Sequence, residues 1–172
     1  GPIERFDVVA DANLRDATLA ARIVATPFAD LPLVSAALDA RGVNAAQWDP
    51  SWPVTDLTLM LVARPEGERF VGTIDARNAQ AGPIDAARIP AESLTSRFAW
   101  QDGTLALEDT AVRIAGGGAA SGRITMPTRG GASDGALQLR QIDLARIQST
   151  LPTTRLSGTL AASASTSADC FR

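Results

Sequence analysis

The chain has 172 residues, a net charge of −3 and a sequence pI near 4.9, and every one of its basic residues is an arginine. Without histidine or lysine it has no histidine-based triad or metal site, no Walker lysine and no Schiff-base amine. The acidic balance and the singly scattered arginines argue against a nucleic-acid partner, which needs a clustered basic face.

This length is one domain or one segment of an array. Hydrophobic residues make up 45%, but aromatics only 5% and much of the rest is alanine, so the apolar side chains form a thin layer. No apolar run approaches the roughly 18 residues of a membrane-spanning helix. Cys170, the single cysteine, forms no intrachain disulfide and, in a polar tail, is a poor nucleophile. Gly1-Pro2 reads as a protease scar, so the chain is read as an excised segment of a longer protein.

Period-two alternation predicts strands along the whole chain. Arg5–Val9 and Ala17–Ala25 come first, the second favoured as a strand by Ile23-Val24 and the following Thr26-Pro27. Pro27 and Pro32 punctuate a connection. Val34–Val43 follows, then an irregular loop over Asn44–Pro53 and a strand over Val54–Ala63 with Leu57, Leu59 and Leu61 on one face. Arg64-Pro65-Glu66-Gly67 makes a turn and Arg69–Asn78 returns. From Gly72 to Met126 the alternation is clearest: Ile74 and Ala76; Leu94, Phe98 and Trp100; Leu105 and Leu107; Val112 and Ile114; Ile124 and Met126. Ala81-Gly82-Pro83, Asp102-Gly103 and Gly116-Gly117-Gly118 supply turns between these runs. Residues 163–172 are small and polar and predict a disordered tail, which leaves 1–162 as the folded segment.

The chain is internally similar. Leu38–Leu61 superposes on Leu137–Leu160 with a shift of 99 positions (137 − 38). Leu38 meets Leu137, Arg41 meets Arg140, Asn44 meets Asp143 and Pro53 meets Pro152. Ile74–Phe98 fits the same frame with one insertion, through Arg77, Pro90, Leu94 and Phe98. The unit is strand, irregular segment opening with Asp or Asn, proline, strand, and such units stack into quasi-one-dimensional arrays.

Nothing in these strands spells out an enzyme, a metal site or a cofactor. Gly116 to Gly122 superficially resembles a dinucleotide loop, but Ser121 replaces the third glycine and a strand, Arg123–Met126, follows in place of a helix. A bulge or close backbone packing explains those glycines. Asp39, Asp56, Asp75, Asp85, Asp102, Glu108, Asp109 and Asp143 fall near strand ends and turns and read as turn and cap residues. Asp7 and Asp11 lack the spacing of a calcium loop.

Alternating strands have two architectures open to them. Two sheets can close face to face, so that the stripes become an ordinary core. Alternatively, one sheet bends into an open trough with an apolar lining. Repeats in a row, few aromatics, and glycines inside strand patterns (Gly72, Gly118, Gly122, Gly158) favour the trough.

Four stretches carry a family resemblance that covers most of the chain: NAQAGPIDAARIP from Asn78, LTSRFAWQDGTLALED from Leu94, GGGAASGRITM from Gly116, and LQLRQIDLARIQSTLPTTRLSGTLAAS from Leu137. They resemble the repeat of the TamB family, the large periplasmic subunit of the translocation and assembly module, related to AsmA-like proteins. The resemblance implies an all-β fold in which repeated short strands build a curved, largely antiparallel sheet, a β-taco, around an open hydrophobic groove. It also implies a long periplasmic protein of a Gram-negative bacterium, anchored in the inner membrane and meeting an outer-membrane barrel partner, TamA.

Family members are implicated in phospholipid movement between the membranes and in outer-membrane protein assembly. The expectation is therefore a non-enzymatic groove that carries phospholipid acyl chains. Its expected lining is Leu57, Leu59, Leu61, Phe70, Ile74, Leu94, Phe98, Leu105, Leu107, Ile114, Ile124, Leu137, Leu139, Leu156 and Leu160. The alternative is a scaffold for nascent outer-membrane strands, autotransporters included, that pair with free sheet edges. Free edges also permit edge-to-edge self-association of the chain. The end strands as predicted, Arg5–Val9 and Arg155–Ala162, are short and charged, which disfavours augmentation.

Overall fold

A computed structural model describes residues 5–26, 33–128 and 131–166. It contains one ten-stranded antiparallel sheet whose spatial order is the chain order. The strands are β1 (Phe6–Leu14), β2 (Ala17–Ala25), β3 (Leu33–Val43), β4 (Leu57–Glu66), β5 (Arg69–Asn78), β6 (Ala91–Gln101), β7 (Thr104–Ile114), β8 (Gly118–Pro127), β9 (Gly131–Ile142) and β10 (Leu156–Thr166). Short connections and longer ones both occur. At one end, tight turns at Gly67-Glu68 and Asp102-Gly103 join β4 to β5 and β6 to β7. Asp102 (φ 50°) and Gly103 (φ 72°) are both left-handed, the backbone that a two-residue hairpin with right-twisted strands demands. At the other end, residues 44–56, 79–90 and 143–155 make the long crossings from β3 to β4, β5 to β6 and β9 to β10.

Residues directly opposite in an antiparallel ladder share a face. Following the register therefore sorts every side chain. Leu38 pairs with Leu61, Leu61 with Ile74, and Ile74 with Ser96. Phe98 pairs with Leu107, Leu107 with Ile124, Gly122 with Leu137, and Leu137 with Leu160. In β2 and β1 the row continues through Ala21 and Ala10, with Ile23 opposite Val8 beside it on the same face. This face is apolar from one edge strand to the other. The opposite face carries the charge: Asp7 with Arg22, Asp39 with Arg41, Asp75 with Arg77, and Arg97 with Asp109.

The sheet is single and open. Among the described residues only Ala17, Val24, Ala40, Ala120 and Ile142 are buried apolar positions, far too few for a sealed interlayer core. The apolar face is nevertheless the sheltered one. Leu59 and Leu61 are half-buried, whereas their neighbours on the other face, Met60 and Val62, are 53% and 48% exposed. Shelter without a second layer means that the sheet bends toward its apolar side. Two glycines permit the bend. A side chain on Gly72 would meet the Val62 carbonyl oxygen at 1.9 Å and the Phe98 ring at 2.6 Å, and one on Gly122 would meet the Ala136 carbonyl oxygen at 2.0 Å.

Several boundaries differ from the sequence-based expectation. β1 runs on to Leu14, past Val9. β4 starts at Leu57 and ends at Glu66, not Val54–Ala63, because Thr55 is held by cap hydrogen bonds and Val54 pairs in parallel with Arg88. Pro65 lies inside the strand, opposite Phe70 and beyond the reach of the β3 pairing, so its missing donor is not needed there. The turn moves accordingly to Gly67-Glu68. β8 begins at Gly118, so Gly118 and Gly122 are strand residues in close backbone contact and not a phosphate loop. Ser163–Thr166, expected in the tail, continue β10. Pro27, Pro32, Cys170 and the tail from residue 167 lie outside the described residues.

Candidate functional site: an open apolar trough

All fifteen residues expected as lining stand on the apolar face. β4 contributes Leu57, Leu59 and Leu61; β5 Phe70 and Ile74; β6 Leu94 and Phe98; β7 Leu105, Leu107 and Ile114. β8 adds Ile124, β9 Leu137 and Leu139, and β10 Leu156 and Leu160. None is buried. Thirteen are half-buried, while Leu156 and Leu160 on β10 are 47% and 48% exposed. The same rise in exposure occurs at the far side, where Val8 is 51% and Ile23 43% exposed. Shelter is thus greatest in the middle strands and fades toward both edges, which is the profile of a trough.

Other residues share the floor. Leu38, Val112 and Met126 continue the rows, and Trp100 stands opposite Phe70 and Leu105. The Phe70 and Trp100 rings lie 5.9 Å apart between centroids at an angle of 39°, giving the floor its only paired aromatic contact among the described residues. The alternation of β1 and β2 in the sequence was the signal for Val8 and Ile23 as well. A hollow of about 230 Å³ lies against Ile124, Met126, Leu137, Leu160, Ala162 and Ala164. Apolar cavities of roughly 150 Å³ accept a benzene-sized guest, so this open hollow, whose lining also includes Ser133 and Asp134, has room for a few carbons.

One polar seam crosses the floor. Ser96 and Thr110 are buried and their hydroxyls bond each other at 2.9 Å, and Ser96 Oγ also reaches the carbonyls of Arg97 and Glu108. Both hydroxyls are satisfied inside the fold and offer no free polar group to a guest. Among the described residues no cluster of acids or thiols could hold a metal.

One end of the trough is organised by a repeated hydrogen-bond device. Asn44 Oδ1 accepts from the N–H groups of Ala46 (3.2 Å) and Thr55 (3.2 Å). The Thr55 hydroxyl accepts from Ala45 N–H (2.9 Å) and donates to the Val43 carbonyl (3.0 Å). Shifted by 99 positions, Asp143 Oδ1 accepts from Ala145 and Thr154 N–H, and Thr154 Oγ1 accepts from Leu144 N–H and donates to the Ile142 carbonyl. Asn78 does a similar thing, accepting from Gln80 N–H and from Asp56 N–H on the neighbouring connection. The internal similarity seen in the sequence is thus one device built twice, with Asn78 a variant that reaches back to the preceding crossing and lacks the threonine hydroxyl.

Two of these crossings are tied together across the trough. The Ser149 N–H donates to Asp85 Oδ1 at 3.0 Å and its hydroxyl to Oδ2, joining the β9–β10 crossing to the β5–β6 crossing. Those two donors, the hydroxyl first, hold the Asp85 carboxyl below the ordinary aspartate range. Of the acids expected at turns and caps, Asp143 caps a helical turn and Asp85 forms this tie. Asp39, Asp75 and Asp109 instead pair with arginines on the outer face. Comparison with family models, curated proteins and solved structures finds no match to this chain.

Proposed function

We propose that this chain is a segment of a TamB-like periplasmic protein whose trough carries phospholipid acyl chains between the inner and outer membranes. One observation supports this reading above the others: an apolar face continuous over ten strands, half-sheltered by curvature and covered by nothing else among the described residues. A nine-residue strand is about 30 Å long at 3.3 Å per residue, and ten strands about 4.8 Å apart make a path of roughly 43 Å. Each methylene kept from water is worth about 0.8 kcal/mol. A tail sliding from one strand to the next keeps its number of covered methylenes nearly constant, so the barrier to sliding is small while the barrier to leaving is large. Headgroups stay at the open rim, in water. Inner-membrane anchoring and an outer-membrane barrel partner belong to the longer protein in this reading.

The experiment is mass spectrometry of lipids extracted from the purified protein and from Leu59→Asp. The acidic side chain stands on a half-exposed floor, so circular dichroism should keep its β-signature while bound phospholipid falls severalfold. Equal lipid in both proteins, or none in either, would refute the conduit.

A further inference from the structure

The outer edges of β1 and β10 are unpaired among the described residues, and the two edges differ. β1 carries Asp7 and Asp11, the kind of charge that discourages pairing. β10, with the sequence LSGTLAASAST, has eleven residues and neither a charge nor a proline. The expectation of a short, charged terminal strand there fails, since Arg155 lies outside it.

The repeat says what this edge is built for. A shift of 99 positions lays β9 and β10 on β3 and β4, bulge included: Gly42 (φ 67°) falls on Gln141 (φ 50°), and both ladders slip at that point. β4, however, is an interior strand. β5 pairs along it, with Leu57 opposite Asn78, Leu59 opposite Ala76 and Leu61 opposite Ile74. The crossing before β4 adds three bonds on the same side. Asp56 N–H donates to Asn78 Oδ1 (3.1 Å), Ala79 N–H donates to the Asp56 carbonyl (2.9 Å), and Val54 N–H donates to the Ala87 carbonyl (2.8 Å).

The counterparts of Val54 and Asp56 are Thr153 and Arg155. Both are exposed, and neither the Thr153 N–H nor the Arg155 N–H and carbonyl meets a partner among the described residues. Exposure reports the same vacancy. Leu57 and Leu61 are half-buried beside β5, whereas their counterparts Leu156 and Leu160 are 47% and 48% exposed. Beyond its ladder edge, β10 therefore presents three further backbone groups in the arrangement that β4 uses to hold its neighbour.

We propose that the β10 edge is a docking site for an antiparallel polypeptide strand with apolar residues at alternate positions and an Asn or Asp at its C-terminal end. The carboxamide or carboxylate takes the Arg155 N–H, as Asn78 takes that of Asp56. The next residue's N–H takes the Arg155 carbonyl, and the alternate apolar residues extend the trough floor beside Leu156 and Leu160. An acyl chain satisfies none of these backbone groups, so the occupant is a strand, and the inference does not depend on what the trough carries.

The test uses the chain's own β5 as probe. A fluorescent synthetic peptide of residues 69–82 is titrated into the whole protein by anisotropy, and its site is mapped by amide chemical shifts. Saturable binding that moves the Arg155 and β10 amides is expected, with the Asn78→Leu peptide weaker by about tenfold, as loss of a well-placed hydrogen bond implies. Absence of saturable binding overturns the proposal. So do shifts confined to β1, equal binding of the Asn78→Leu peptide, or self-association of the protein through β10 that the peptide does not displace.

Discussion

At the scale of single residues, adjacent positions have opposite lives. Leu59 and Leu61 face the trough while Met60 and Val62 face solvent, so one step along the chain changes a side chain's surroundings entirely. The positions that hold the fold are small or polar. Asn44 satisfies two backbone donors of partly buried residues, and Asn44→Ala should cost about 1–2 kcal/mol in denaturant unfolding. Asn44→Asp should be nearly neutral, since Asp143 performs the same task with a carboxylate. Gly72→Ala should cost about 1–3 kcal/mol, because the added methyl meets a backbone carbonyl that cannot retreat without moving β4. The turn role of Asp143 could be read from its place between strand and proline. The matching role of Thr55 and Thr154 could not, because each acts eleven residues from its partner and only folding brings the two together.

At the scale of elements, alternation decided well and boundaries less well. Ala17–Ala25 and Arg69–Asn78 form strands over the predicted residues because each is bracketed by unmistakable turn or cap residues. The start of β4 was illegible for a physical reason: Val54 and Thr55 are strand-forming residue types occupied with a parallel bridge and a cap. The crossings hold a pH prediction. The Asp85 carboxyl is depressed in the fold by the Ser149 donors, so its contribution is present above the ordinary aspartate pKa and is lost as pH falls through the lower, folded value. Hydrogen exchange at the Ser149 amide should therefore gain relative rate only below the ordinary aspartate range. Asp85→Asn, which keeps one acceptor, should retain part of the protection, and Asp85→Ala should lose it at every pH.

At the scale of the whole molecule, sequence periodicity left two architectures standing. A strand with one greasy face reads the same whether a second sheet covers it or not, because the information lies in what is opposite and not in the strand. The chain-order topology and the half-exposed leucines settle this as a single open sheet. On the floor the Ser96 and Thr110 hydroxyls are satisfied by each other and by backbone carbonyls, which leaves a mostly hydrocarbon surface in a bent sheet, and the proposal that this surface holds acyl chains rests on it.

That claim is tested most directly by photo-crosslinking from neighbouring positions. A benzophenone amino acid is placed at Leu61 or at Val62 in the protein made in cells with intact membranes, and the adducts are identified by mass spectrometry. The account predicts phospholipid adducts from position 61 and few or none from position 62. Equal lipid capture at the two positions, or polypeptide adducts alone at position 61, would contradict it.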